Sequence, residues 1–93
     1  MDVTAHPSAT ELDLATAPAL ARALADYAAS DDVLLDLSRV TFCDARGVRV
    51  LWDDLDRHAA AGGSLRLRGA RPNVHDVFAL VGMTDVTKLD GLR

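Results

Sequence analysis

The sequence predicts an α/β fold in which helices pack against a β-sheet. Two short runs of strand length, residues 33–37 and 64–68, alternate with three longer segments of helical periodicity. The connections between these segments are short, and the chain contains no internal repeat. An α-β-α-β-α order with short connections is typical of a domain in which helices cover a sheet.

The first helix is predicted to begin at Thr16. Threonine is a favourable N-cap residue, and Pro18 fits the first turn, where its missing N–H costs no hydrogen bond. Residues 1–11 are polar and indicate at most a short strand around residues 2–5. Three residues with large apolar groups recur at helical spacing after Thr16: Leu20, Leu24 and Tyr27.

Residues 33–37 are predicted to form a buried parallel strand, because one helix precedes this run and another follows it. Phe42 and Cys43 are expected to end this part of the chain. Asp44 then caps the second helix, which Gly62 ends. The apolar stripe of this helix is predicted to contain Val48, Leu51, Trp52, Leu55 and Ala59.

Residues 64–68 alternate between Ser or Arg and Leu, which predicts a half-buried strand. Pro72 and Asn73 are predicted to open a third helix, which Gly82 closes. Residues 86–89 favour a final strand or a short helix. The inward positions of the third helix are Val74, Val77, Phe78 and Val81.

The composition predicts one globular domain spanning residues 1–93. Hydrophobic residues make up 49% of the chain and charged residues 26%, as in folded rather than disordered proteins. The single cysteine excludes an internal disulfide, and no signal peptide or membrane-spanning run is present, so a cytoplasmic protein is expected. The net charge of −4 argues against nucleic-acid binding.

Four segments of the chain resemble the STAS family (sulfate transporter and anti-sigma-factor antagonist), in matching order and spacing over about residues 10–92. The family has a Gly-Glu-Leu-Asp segment, a strand of Leu-Asp-Leu type, an Asp-Ser-Ser-Gly-Leu loop and a Phe-x-x-x-Gly ending. The corresponding segments here are residues 10–13 (Thr-Glu-Leu-Asp), 34–38 (Leu-Leu-Asp-Leu-Ser), 44–48 (Asp-Ala-Arg-Gly-Val) and 78–83 (Phe-Ala-Leu-Val-Gly-Met).

The resemblance implies a mixed sheet of four or five strands with helices mainly on one face. The family places a β-hairpin at its N-terminus, whereas only nine residues precede Thr10, so the hairpin is expected to be shortened or missing. A missing edge strand would leave backbone N–H and C=O groups unpaired. Such an edge is a template for pairing with another chain, which makes a homo-oligomer a further expectation.

The resemblance also implies a function in protein binding, most often to a serine kinase that acts as an anti-sigma factor. In the family, phosphorylation of the first serine after the loop aspartate releases the kinase. Here that position is Ala45, and the next residue is Arg46, so neither usual hydroxyl exists. The resemblance places partner binding at Asp13, Asp44, Ala45, Arg46, Gly47 and Val48.

Each of these positions also has a purely structural interpretation. Asp44 can serve as an N-cap without contacting a partner, and Gly47 can be present because it allows close packing. Asp13 can be a loop carboxylate that is favourable beside the positive end of the first helix. Arg46 opposes the helix dipole, which hints at an acidic partner, although an arginine on a protein surface needs no special role.

No other chemistry is predicted. Ser38 and Thr41 are the nearest alternative phosphate acceptors, but turn or capping roles explain them more simply. Cys43 is expected to pack as a small apolar residue rather than act as a nucleophile. The three histidines share no ligand spacing, so neither a metal nor a cofactor is expected, and nothing indicates an enzyme.

Two functions remain as alternatives. The first is an anti-sigma-factor antagonist-like binding module in bacterial transcription regulation that cannot be switched at Ala45. The second is a structural STAS subunit of a lipid-trafficking or other transporter complex, bound permanently to an ATPase.

Overall fold

The computed structural model describes residues 2–80 and contains five strands and three helices. The α/β fold predicted from the sequence is confirmed. The elements in chain order are β1 (Asp2–Ala5), β2 (Glu11–Leu12), α1 (Ala17–Ala25), β3 (Asp32–Asp36), β4 (Phe42–Cys43), α2 (Ala45–Ala60), β5 (Ser64–Arg68) and α3 (Pro72–Leu80).

The main sheet has the strand order β1-β3-β5, and all three strands run parallel. In this register Leu35 of β3 lies between Ala5 and Leu67, and all three side chains are buried. The alternate positions, such as Thr4 and Arg66, are exposed. The helices therefore cover one face of the sheet, as predicted.

Strand β3 is parallel, as expected, but it is buried on one face only. Val33 and Leu35 are each 1% exposed, whereas Leu34 between them is half-buried. The apolar run at residues 33–37 therefore predicted that Leu34 would be fully buried, whereas the sheet leaves this side chain half-buried.

The two N-terminal strands are short, but they do not form a hairpin with each other. Strand β1 pairs with β3, and β2 pairs with β4, so β1 occupies the sheet edge that a missing strand would have left open. All strand pairs within residues 2–80 are parallel, so the antiparallel pair of a mixed sheet is not found in this part of the chain.

The core lies between the sheet and α1, α2 and α3. Helix α2 buries a stripe that is shifted from the predicted one, because Ala59 is exposed and His58 is fully buried. Trp52 is only partly buried against the core. The largest fully buried side chains are Phe78, Leu12, Leu35, Leu37, Leu51, Leu67, His58, Val33, Val40, Val48 and Val74.

Helix α3 begins at Pro72, as predicted, and buries Val74 and Phe78. The predictions for Val81, Gly82 and residues 86–89 lie outside the described residues. None of the helices found between residues 2 and 80 has the length and apolar character needed to cross a membrane.

Candidate partner-docking site

Asp44 caps α2, as the sequence predicts. Its backbone is extended, with φ −107° and ψ −176°, so the side chain can fold back over the first turn. Its Oδ1 accepts hydrogen bonds from the backbone N–H groups of Arg46 at 2.9 Å and Gly47 at 3.2 Å. The Asp44 carboxylate therefore satisfies two helix N–H groups that would otherwise lack a partner.

Gly47 allows the start of α2 to lie directly against β2. A Cβ atom at this position would lie 2.6 Å from the carbonyl oxygen of Leu12 and 2.7 Å from its Cβ. The backbone N–H of Asp44 donates to that same Leu12 oxygen at 2.9 Å. The start of α2 is therefore held against β2 by close backbone contact.

Asp13 builds the turn that leads from β2 into α1. Its Oδ1 accepts from the N–H groups of Ala15 at 3.0 Å and Thr16 at 3.1 Å, and its carbonyl accepts from Ala17 at 2.8 Å. The prediction that Thr16 caps α1 with its side chain is wrong. Its backbone is helical, and its hydroxyl donates to the carbonyl of Glu11 at 2.8 Å.

Four exposed residues surround the start of α2, and we call them the helix-start surface: Leu14, Phe42, Ala45 and Arg46. Leu14 is 63% exposed and Phe42 is 45% exposed. Phe42 faces outward because it pairs with Glu11 on the exposed face of the β2–β4 pair, whereas Leu12 and Cys43 face inward. Two large apolar side chains therefore lie on the surface beside a helix start.

The structure divides the six predicted partner-binding residues into two groups. Ala45 and Arg46 are exposed, and the carboxylates of Asp13 and Asp44 are bonded to backbone N–H groups. Gly47 is buried, and Val48 is 2% exposed, so they belong to the packing beneath the surface. Partner binding at all six residues stays a prediction.

Sequence reasoning did not find Leu14 and Phe42. Leu14 is a single apolar residue in a polar turn, and such residues are common on protein surfaces. Phe42 lies in a two-residue strand, which is too short for its alternation to show which side chain points outward. The only available signal was the proximity of both residues to the segments that carry the resemblance.

Ser38 and Thr41 are both exposed; Ser38 lies in a turn, whereas Thr41 bonds to the distant Thr10. The N–H of Ser38 donates to Oδ1 of Asp36 at 2.8 Å, and the hydroxyl of Thr41 donates to the carbonyl of Thr10 at 3.2 Å. The N–H and hydroxyl of Ser38 lower the pKa of the Asp36 carboxyl, and the charges of Arg68 and His6 lower it further.

Cys43 is 1% exposed and lies inside the core. Burial, followed by the nearby charge of Asp44, raises the pKa of its thiol to about 12. The thiolate, which is the nucleophilic form of cysteine, is therefore a minor species at neutral pH. No group of three potential metal ligands among His, Cys, Asp and Glu occurs in the part of the chain that the structure describes.

Near its other end, α2 carries a buried polar cluster formed by Asp54, Arg57 and His58. Nε of Arg57 donates to Oδ1 of Asp54 at 2.8 Å, and Nε2 of His58 lies 3.3 Å from Oδ2, which accepts no hydrogen bond. The neighbouring Asp53 is not part of this cluster, because it pairs with Arg49 at 3.3 Å on the exposed face.

The polar cluster ties α2 to its neighbours. Nη2 of Arg57 donates to the carbonyls of Leu24 and Tyr27, each at 3.0 Å. Nδ1 of His58 lies 3.1 Å from the carbonyl of Asp31, so it is the protonated nitrogen that donates there. The cluster therefore supports the scaffold, while the opposite end of the helix presents the surface.

Comparison with known proteins identifies the fold. The sequence model of the family described as "Mlab, STAS domain" matches residues 9–90. The crystal structure of a protein described as an anti-sigma factor antagonist from Thermotoga maritima has a TM-score of 0.73 and 19% sequence identity to this chain, and covers 86% of this chain and 72% of that one. At this identity the likeness shows the fold alone. No match was found among curated proteins.

Proposed function

Because this chain belongs to the STAS domain family, we propose that it is a protein-binding module of the anti-sigma-factor antagonist type in bacterial transcription regulation. Its partner is a cytoplasmic serine kinase that acts as an anti-sigma factor, and the chain works in the same compartment. Binding, rather than catalysis, is the activity.

The observation that carries this proposal is the exposure of Leu14 and Phe42 beside the start of α2. Protein interfaces have an apolar centre surrounded by polar residues, and aromatic residues and arginine are enriched in them. The helix-start surface has this composition, because it combines the exposed Leu14 and Phe42 with the exposed guanidinium of Arg46. Asp13 and Asp44 hold the turns that present it.

The absence of a hydroxyl at Ala45 makes binding constitutive under this proposal. Ala45 is exposed, so a serine there would be accessible to a kinase, but alanine cannot accept phosphate. A phosphate in the first turn would add about −1.5 to −2 charge next to Asp44 and repel an acidic partner surface. The partner is therefore released by a route other than phosphorylation at this position.

Binding is tested by isothermal titration calorimetry against each purified anti-sigma-type serine kinase of the same genome. We expect Phe42→Ala to weaken the interaction roughly tenfold, as truncation of a central aromatic residue does. Arg46→Glu is compared with Arg22→Glu, which makes the same charge change at an exposed position in the last turn of α1. If both charge reversals have equal effects, the helix-start surface is not the docking site.

The constitutive part of the proposal is tested by incubating the chain with the bound kinase and ATP and measuring its intact mass. We expect no added phosphate. Phosphate on Ser38 or Thr41 would contradict constitutive binding, since both hydroxyls are near the docking surface and exposed.

A permanent subunit of a lipid-trafficking or other transporter complex is the second candidate. The same exposed Leu14 and Phe42 favour it, because an obligate subunit buries its apolar surface against its partner. Such a subunit should copurify with an ATPase and aggregate when made alone. A monodisperse chain that binds a kinase reversibly would exclude this candidate.

Two further parts of the proposal have direct tests. An enzyme that used Cys43 would be alkylated rapidly at neutral pH, whereas we expect slow labelling because the thiol is buried and its pKa is raised to about 12.

Within residues 2–80, β1 and β5 each pair with β3 alone, so the outer edge of the sheet is left for pairing with a second copy of the chain. Size-exclusion chromatography with light scattering tests this homo-oligomer.

A further inference from the structure

The carboxyl ends of the three parallel strands bring together arginines that are distant in sequence. Strand β3 ends at Asp36 and β5 ends at Arg68, and the N–H of Leu37 donates to the carbonyl of Arg68 at 2.8 Å. Nε of Arg71 donates to the carbonyl of Ser38 at 3.1 Å. We call the resulting group the arginine edge: Arg39, Arg68 and Arg71, all of them exposed.

Asp36 lies beside this edge, but its carboxylate is hydrogen-bonded to the backbone of Ser38. Oδ1 of Asp36 accepts from the N–H of Ser38 at 2.8 Å, while the charges of Arg68 and His6 help to keep the carboxyl ionised. Within residues 2–80, Arg39 and Arg71 form no ion pair. Two of the three arginines of α2, by contrast, have one: Arg49 with Asp53 and Arg57 with Asp54.

The arginine edge is continuous with the helix-start surface. Residues 37–43 connect the two, and Thr41 lies in the middle of this segment. Its carbonyl accepts from Nδ2 of Asn73 at 2.8 Å, and its N–H donates to the carbonyl of Thr10 at 2.8 Å. A partner that covers Phe42 therefore lies within reach of Arg39 and Arg71.

Resting on the docking function proposed above, we propose that the arginine edge binds a carboxylate-rich segment of the partner protein. The carboxyl oxygens of aspartate and glutamate fit the donor geometry of guanidinium groups, which form paired charge-assisted hydrogen bonds. Charge complementarity favours this occupant, because the edge holds three exposed arginines although the whole chain has a net charge of −4. Glu11 is exposed beside Phe42 and would repel a carboxylate there, so the acidic segment of the partner is expected to contact the arginine edge and not the surroundings of Phe42.

The experiment needs no identified partner. The chain, uniformly labelled with ¹⁵N, is titrated with a short poly-glutamate peptide, and amide chemical shifts are followed by NMR. We expect the largest shifts in residues 38–42 and 68–71, and a loss of binding as salt is raised, because exposed charge pairs are screened within about 10 Å at 0.1 M salt. A poly-glutamine peptide of the same length should cause no shifts there.

Charge-reversal variants distinguish binding at the arginine edge from a general attraction of the peptide to any positive charge on the protein. We expect Arg39→Glu with Arg71→Glu to weaken peptide binding roughly tenfold, since each exposed pair contributes a few-fold. Arg22→Glu should change it less than about twofold. Circular dichroism checks that both variants are folded.

Three results would overturn the proposal: no shifts at the edge, equal shifts with poly-glutamine, or binding of inorganic phosphate there without binding of poly-glutamate. The last result would mean that the edge recognises a small anion. If the peptide binds but none of the kinases does, the docking function fails and the carboxylate preference of the edge remains. If a kinase binds equally well to the double variant, the edge lies outside the interface.

Discussion

The two ends of α2 use polar residues in opposite ways. At its start, Asp44 directs its carboxylate onto backbone N–H groups, and Ala45 and Arg46 face solvent. Near its end, Asp54 and His58 are buried, with only 8% and 0% of their surfaces exposed.

This difference separates two roles within one helix. Buried polar groups are costly unless they are paired, so the rear of α2 must keep its partners for the fold to survive. The front has its backbone N–H groups satisfied locally, so its exposed side chains are free to change without a large loss of stability. Substitutions of the buried groups at the rear should therefore change stability, and those of the exposed side chains at the front should change binding.

The largest effect is expected for Asp54→Ala. Removing this carboxylate takes away the acceptor that Nε of Arg57 bonds at 2.8 Å and leaves a gap beside Nε2 of His58, and it should lower the free energy of unfolding by about 3 kcal/mol. Asp53→Ala is the matched control, since the exposed pair of Asp53 with Arg49 contributes less than about 1 kcal/mol. Urea denaturation measures both, and equal losses would contradict a special role for the buried cluster.

Gly47→Ala should have the second largest effect, and it tests how closely α2 must approach β2. The new methyl group would overlap the backbone of Leu12, so we expect a loss of about 2 kcal/mol. The comparison is Gly62→Ala, where space is open but φ is +82°, which should cost about 1 kcal/mol. Unfolding curves that rank Gly62→Ala as the more damaging change would refute the close contact.

Asp44→Ala should cost about 1 kcal/mol, because two N–H groups of the first turn lose their acceptor. Asp44→Ser keeps a capping oxygen and should retain most of the stability. Both are measured by chemical denaturation. If the serine variant is as unstable as the alanine variant, capping is not the structural role of Asp44.

Ala45→Asp should have the smallest effect on stability. It is the clearest test of whether the start of α2 acts in binding rather than in stability. A negative charge in the first turn should raise the free energy of unfolding by about 0.5 kcal/mol, since it interacts favourably with the helix dipole. The same charge should weaken binding of the kinase or of the poly-glutamate peptide. Parallel denaturation and titration experiments measure both quantities, and a variant that binds more tightly would argue against an acidic partner.

Local patterns were sufficient to predict most of the elements. The three helices and β5 have clear periodicity, and Gly62 ends α2 as expected because it adopts a positive φ. Strands β2 and β4 were not predicted as a pair, since two residues contain no pattern. The buried Asp54 and His58 were missed because hydropathy assigns polar residues to the exposed face of a helix.

The site was predicted in part. Residues 44–47 do form the start of α2, where Ala45 and Arg46 are exposed and Gly47 is buried, and the cap by Asp44 follows from residue type alone. The predicted apolar stripe of α2 contained Val48, and the structure buries this residue.

The sequence by itself determined the order of the three helices with β3 and β5, the N-cap at Asp44 and the absence of a hydroxyl at Ala45, since these depend on residue identity and short spacing. Only the tertiary structure decided that Phe42 faces outward, that Arg57 reaches the carbonyls of α1, and that Arg71 lies beside Ser38. The physical reason is distance along the chain. Residues more than thirty positions apart meet only when the sheet and the helices pack together.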